Sequence, residues 1–287
     1  MKKVIQLLVI DPQNDFCDVP ADWLPQDAMT GQAASPALPV AGAHADMLRL
    51  AALIREGAGG ISAITVTLDS HHRFDIAHPA FWTTGAGAGV APFTAITAAQ
   101  VRQGGYAPRV ASMRPRALAY LDALEQQGRY TLMVWPVHCE IGSWGHGVHP
   151  AVKAAYNGWE DRHRAIVQKI SKGSNPWTEH YSALQAEVPD QADPATQRNT
   201  ALIAVLDRAD LIVIAGEAGS HCVKATSEHL ADNLPSGQPG KMVLLTDCMS
   251  PVAGFEAQQQ AFVADMARRG VNFATSAELL ATLLDNA

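Results

Sequence analysis

The 287 residues predict an α/β fold: three layers, with a six-stranded, mostly parallel sheet and helices on both faces. Three observations carry that expectation. Apolar, β-branched runs recur along the chain and are continuous rather than alternating, as in strands buried on both faces. Segments with helical spacing lie between and after them. Glycines stand where those segments should stop. The runs are Val4–Ile10, Ile61–Leu68, Tyr130–Trp135, Ala165–Ile170, Leu211–Ala215 and Met242–Thr246. The helical segments are Ala45–Glu56, Arg116–Gln127, Gln197–Ala209, Ser220–Asn233, Glu256–Arg269 and Ser276–Leu284, and Gly57, Gly128 and Gly270 punctuate three of them. Chemistry-bearing segments are scattered over most of the expected sheet, so one domain over 1–287 is expected. Three stretches read as loop insertions on it: Pro20–Val40, Gly85–Gly105 and Glu187–Gln197.

Composition narrows the function classes. Hydrophobic residues make up 48% and charged residues 17%, a globular balance. A net charge of −7 argues against a nucleic-acid or anionic-membrane partner. The N-terminal apolar stretch is cut short at Asp11 with no cleavage site after it, and no run is long enough to span a bilayer. Four cysteines, at 17, 139, 222 and 248, do not make a disulfide framework. The expectation is a soluble, cytoplasmic protein with free thiols.

Ligands of open α/β sheets bind beyond the carboxyl ends of the strands. The residues just after the six runs include Asp11, Asp69 with His71 and His72, Trp135 with His138, Lys172, Cys222 and Asp247. Cys222 follows the small-residue turn Gly216–Ser220 and opens a helix, where free N–H groups and the dipole favour a thiolate and an oxyanion. A free cysteine is more often buried and inert. The turn favours the nucleophile here, while Cys17, Cys139 and Cys248 keep the inert reading. Asp69 and His71, two apart, point the same way from an extended strand end. With His138 they make a donor set for a divalent ion with open positions. A hydrogen-bonded polar strand end would explain Asp69 and His71 alone; the third donor favours the metal. His72 and His78 are reserve ligands or packing residues.

Taken together these segments resemble the cysteine hydrolase superfamily of nicotinamidases and isochorismatase-like proteins, from Val4 to about Pro251. Asp11-x-Gln13-x-Asp15-Phe16 resembles the family's first motif, whose Asp is the acid/base. Asp69-x-His71 and Trp135-Pro-x-His138-Cys139 look like its metal-ligand segments. Lys172-Gly-Ser-Asn-Pro, running on to Tyr181-Ser182-Ala183, resembles the segment with the family lysine, and Gly219-Ser220-His221-Cys222-Val223 the nucleophile turn. Lys172 is preferred to Lys169, which lies inside its strand and reads as a surface residue.

The resemblance implies a catalytic set of Asp11, Lys172 and Cys222, with Ala218 and Cys222 amides as the oxyanion hole and a cis Glu217–Ala218 peptide. It implies Phe16 and Trp135 flanking a planar ring. It also implies a divalent metal on Asp69, His71 and His138: zinc, with iron or manganese as alternatives. The expected activity is nicotinamidase-like hydrolysis of a small (hetero)aromatic carboxamide through a thioester, with nicotinamide as substrate and a place in NAD salvage. Lys172 is expected to favour a Cys222 thiolate at rest. Expected partners are the small-molecule amide and further copies of the chain, with no nucleic acid and no membrane. Glu217-Ala218-Gly219, in place of the usual apolar-Ala-Thr, and the three insertions depart from the family pattern and bear on the substrate. Another amide, an N-carbamoyl compound, a vinyl ether (against which Cys222 and the two histidines argue) or a non-catalytic binding role are the alternatives.

Overall fold

In the computed structural model, which describes residues 2–26 and 28–287, the six apolar runs do become strands, and four short strands stand beside them. They are β1 (Ile5–Ile10), β2 (Ala63–Asp69), β3 (Trp82–Thr84), β4 (Thr94–Ile96), β5 (Tyr106–Pro108), β6 (Leu132–Val134), β7 (Gln168–Lys172), β8 (Leu211–Gly216), β9 (Met242–Leu245) and β10 (Asn272–Ala274). Six of them form one sheet in the order β10-β9-β8-β1-β2-β7, and every neighbouring pair is parallel. Every residue of central β1 is buried, so both faces of the sheet are covered.

Parallel neighbours need crossover connections, and helices supply them. The helices are α1 (Ala43–Glu56), α2 (Ala98–Arg102), α3 (Arg114–Gln127), α4 (Pro150–His163), α5 (Thr200–Asp207), α6 (Cys222–Asn233), α7 (Glu256–Arg268) and α8 (Ser276–Asp285). α1 crosses from β1 to β2, α6 from β8 to β9, and α7 from β9 to β10. The Asp18 carboxylate accepts from the Gly42 and His44 amides at the start of α1, both at 2.8 Å. Gly128, at φ 68°, ends α3. No helix among the described residues is long and apolar enough to cross a membrane.

Three expectations are corrected. Tyr130–Trp135 does not join the main sheet: β6 pairs antiparallel with β4 in a separate ribbon. The sixth sheet strand is β10, short and only partly buried, which continuous apolarity does not reveal. Gly85–Gly105 is not all loop, because it holds β4 and α2, the latter started by a reciprocal Thr97–Gln100 capping box. Helix α4 also lies outside the expected set, although its Val152, Ala155, Tyr156 and Trp159 are buried at helical spacing and pack it on α1.

For function the decisive feature is strand order. The carboxyl ends of β8, β1, β2 and β7 lie side by side, so Gly216, Asp11, Asp69 and Lys172 arrive at one edge.

Candidate active site

The nucleophile turn begins where β8 meets β1. Gly216 has φ 125°, and a Cβ there would stand 1.9 Å from the Ile10 carbonyl oxygen, so only glycine permits this approach. The Glu217–Ala218 peptide is cis, as the resemblance implied. The Ala218 carbonyl then accepts from the amides of His221 (3.0 Å) and Val223 (3.2 Å), folding the chain into α6 with Cys222 as its first residue. Neither the Ala218 nor the Cys222 amide donates to any acceptor among the described residues. Two idle N–H donors beside a sulfur at a helix N-terminus form an anion-binding geometry.

Glu217, the departure from the family pattern, points away from this edge. It is fully buried, its Oε2 accepts from the Ser250 amide at 3.1 Å, and the Ser250 carbonyl accepts from Gly219. The Ser250 hydroxyl in turn donates to Asp46 at 2.6 Å. Burial and the nearby Asp46 carboxylate hold the Glu217 carboxyl well above its usual range. Its work is to brace the turn from behind.

Lys172, 2% exposed at the end of β7, links the acidic and sulfur groups. Its Nζ is 2.8 Å from Asp11 Oδ2, 3.0 Å from Asp69 Oδ1 and 3.5 Å from Cys222 Sγ, and it donates to the His180 carbonyl at 3.0 Å. Asp11, at φ 40°, also accepts from the Thr67 hydroxyl at 2.5 Å. Lys169, by contrast, lies at the surface against Tyr156 and Glu160. Gly173 is required beside Lys172: at φ +85°, a Cβ there would be 2.9 Å from Asp69 Oδ1.

The charges settle in a definite pattern. Burial works against the Lys172 ammonium, but Asp11 and Asp69 outweigh it and hold the amine protonated, well above its ordinary range. Burial raises Asp11 above the usual carboxylate value, with Lys172 pulling the other way. Burial also pushes the Cys222 thiol well above its ordinary 9.0, more strongly than Lys172 lowers it. Desolvation thus opposes the thiolate expected beside Lys172, while the ammonium favours it.

A second cluster adjoins the first. Asp69 Oδ2 lies 3.1 Å from His71 Nε2 and 3.4 Å from His138 Nε2, and the three donor atoms fall within 4.8 Å of one another. His71 Nδ1 faces Asp75 Oδ2 at 3.1 Å, and His138 Nδ1 faces the Pro136 carbonyl at 2.9 Å. Each Nδ1 thus faces an acceptor, an arrangement that in a metal-bound ring leaves Nε2 free to ligate at the common centre. The residues fit a divalent ion. Burial disfavours the His71 imidazolium, yet Asp69 and Asp75 hold its pKa well above the usual value; His71 and Lys172 in turn hold Asp69 well below its own despite burial. The reserve ligands do not join. His78 Nε2 sits 3.3 Å from His138 Nδ1, behind the cluster, and His72 is exposed, its carbonyl accepting from His78.

Residues of the first motif hold the two clusters in register. The Gln13 amide bonds the Asp69 backbone in both directions, at 2.8 and 2.7 Å. Asp15 accepts from the Cys139 amide at 2.6 Å and the Ala37 amide at 2.9 Å. The amide of His71 donates to the Cys139 carbonyl at 3.0 Å, joining the two metal-ligand segments. Cys17, Cys139 and Cys248 are fully buried, consistent with the inert reading.

Over both clusters lies a narrow cavity of about 20 Å³, room for roughly one water molecule and well below the usual size of a ligand pocket. Phe16 and Trp135 line it, together with Asp69, His138, Ala218 and Cys222. Phe16 stands edge-on to His138 at 5.5 Å between ring centres, and Trp135 Nε1 donates to the Tyr181 hydroxyl at 3.1 Å. Sequence reasoning missed Leu38, Glu179, Tyr181, His221 and Val252 in the wall. Tyr181 falls in the segment that carries Lys172, and His221 precedes the nucleophile, so position alone could have found both. Two insertions contribute: Leu38 comes from Pro20–Val40, and Phe93, from Gly85–Gly105, packs edge-on against Trp135 at 6.0 Å.

Comparison with solved structures agrees with this architecture. An isochorismatase-like hydrolase from Alkaliphilus metalliredigens superposes with a TM-score of 0.53 at 14% identity, covering 97% of this chain and 98% of its own. The fold is that of the isochorismatase-like hydrolases. An Acinetobacter baumanii nicotinamidase/pyrazinamidase gives 0.61 at 20% identity, covering 96% of this chain and 98% of its own. A Pyrococcus horikoshii pyrazinamidase in complex with zinc gives 0.51 at 18% identity, covering 94% and 98% respectively. No protein-family model matches the sequence, and no curated protein does.

Proposed function

We propose that this chain is a cysteine amidohydrolase that cleaves a small (hetero)aromatic carboxamide to the carboxylate and ammonia, with nicotinamide as a substrate. One observation carries the proposal: the Asp11–Lys172–Cys222 cluster faces two unbonded amides at the floor of an aromatic-walled cavity.

The chemistry follows from the geometry. The substrate carbonyl oxygen docks on the Ala218 and Cys222 N–H groups, where developing negative charge is stabilised. As sulfur attacks the carbonyl carbon, the thiol proton passes to Asp11, whose raised pKa suits it to hold that proton. Lys172 stays positive throughout and compensates the charge shared between sulfur and carboxylate. Asp11 then gives the proton to the departing nitrogen, ammonia leaves, and a thioester remains on Cys222. Water enters, Asp11 takes its proton, and attack on the thioester releases the carboxylate and restores the thiol. Asp69, His71 and His138 would hold a divalent ion, zinc being the first candidate, which when bound supplies a Lewis-acid anchor for a lone pair on the substrate. Phe16 and Trp135 hold the ring flat, each contact contributing about 0.5–1.5 kcal/mol.

Steady-state kinetics on zinc-loaded protein test the proposal. Nicotinamide is expected to be a much better substrate than benzamide, which lacks the ring nitrogen, and His138→Ala should erase that preference. Nicotinamide releasing no ammonia from protein with an intact, reactive Cys222 would overturn the substrate assignment. The reading places the protein in NAD salvage as a soluble cytoplasmic enzyme that assembles with its own copies.

A further inference from the structure

The cavity wall holds one carboxyl group that the mechanism above does not use. Glu179 is only 3% exposed, and its backbone is pinned: its amide donates to the Tyr120 hydroxyl at 3.2 Å, and its carbonyl accepts from Glu187 at 2.9 Å. Its Oε1 accepts from the His180 amide at 3.0 Å, but Oε2 has no hydrogen-bond partner. A buried polar atom left without a partner is costly, and native structures seldom tolerate one without reason. Glu179 lines the substrate cavity, and Oε2, sealed from solvent, is left for a donor that enters with the ligand.

Charge points the same way. Asp11, Asp69, Asp75 and Glu179 are four buried carboxyl groups around the site, and Lys172 is the buried ammonium among them. With all four ionised, a divalent ion on Asp69, His71 and His138 would still leave the set one charge negative, and burial favours relief of that excess. A substrate bearing a donor or positive charge on its ring is favoured by that excess, and the carboxylate product is repelled by it. Of the other walls, Phe16, Leu38 and Val252 are apolar and Trp135 offers only a donor; Tyr181 and His221 are neutral polar groups, so outside the metal and nucleophile clusters Glu179 is the one carboxyl group in the lining.

We infer that Glu179 is a specificity residue that accepts a hydrogen bond from a donor on the substrate ring, so that the preferred substrates are aromatic carboxamides carrying an amino group. This rests on the amidase reading and narrows it.

The test uses zinc-loaded protein and four probes: nicotinamide and its 2-amino, 5-amino and 6-amino derivatives. Binding is measured calorimetrically on Cys222→Ala, and kcat/KM on the protein with Cys222 intact. At least one amino derivative should bind about tenfold more tightly than nicotinamide, the usual scale for a hydrogen bond to a charged group. Glu179→Leu in the same background should reduce that advantage to within about twofold, since the acceptor is gone. Glu179→Gln, isosteric and still an acceptor, should keep part of it, and it serves if the Leu variant does not fold. Equal binding of all four probes, or an advantage that survives both substitutions, overturns the Glu179 assignment while nicotinamide turnover leaves the amidase reading standing. No binding and no turnover with any probe refutes the amidase reading, and this inference with it.

Discussion

Lys172→Met removes the buried ammonium that sits 2.8 Å from Asp11 and 3.0 Å from Asp69 while nearly preserving side-chain volume. Breaking a buried pair from one side leaves its partner uncompensated, at about 3–5 kcal/mol. Two carboxylates lose a partner here, but Asp69 keeps its contacts with His71 and His138, so the loss should stay within that range. For a chain of this size each kcal/mol lowers Tm by about 2–4 °C, giving a drop of roughly 6–20 °C near neutral pH. The sign with pH is fixed. In the parent protein Asp69 is held well below its ordinary 3.8, so its pairing contributes stability above the unfolded pKa and loses it as pH falls. In the variant both carboxyls take up protons more readily in the folded state, which relieves their repulsion in acid. The Tm gap between parent and variant should therefore be widest near neutral pH and narrow toward about pH 5. Differential scanning calorimetry at both pH values measures it, and Asp11→Asn combined with Lys172→Met should recover part of the loss. A gap that is absent, or that does not change with pH, would refute the buried ion cluster.

Two further outcomes concern the thiol and the metal site. Cys222 lines the cavity whereas Cys17, Cys139 and Cys248 are sealed in the core, so a small alkylating reagent should modify Cys222 first. Because burial holds its pKa above 9.0, the rate on metal-free protein should still be climbing above that pH; a plateau near neutral pH, read by intact mass, would restore the resting thiolate. Asp75→Asn removes the charge behind His71 Nδ1 and should weaken zinc binding by about 10–100-fold in a competition titration, and unchanged affinity would demote the cluster to polar packing.

Much of the site was legible because it sits at strand ends. Asp11, Asp69, Lys172 and Cys222 each follow an apolar run, and adjacent parallel strands bring such positions together whatever the loops do. The metal-ligand triad was legible through its donor types, and the structure adds Asp75 and the Pro136 carbonyl, which fix the ring nitrogens. What the sequence concealed follows from context rather than composition. Leu132–Val134 has the apolar character of a sheet strand, but its partner is a strand inside an insertion. Asn272–Ala274 is an edge strand with little burial, so it lacks the hydrophobic signature by which strands are recognised. Glu179 gave no signal, because a glutamate in an irregular segment normally faces water. For Cys222 only one of two opposing effects was legible: a lysine is visible in the sequence, whereas desolvation depends on the packed structure.

The covalent role of Cys222 can be read directly by intact-mass spectrometry of zinc-loaded protein quenched in acid during turnover of nicotinamide. The expected result is a population heavier by the nicotinoyl group, located on Cys222, accompanied by stoichiometric ammonia and absent from Cys222→Ala. Ammonia released at the normal rate by Cys222→Ala, or turnover by the parent protein with an acyl group on another residue, would contradict the mechanism.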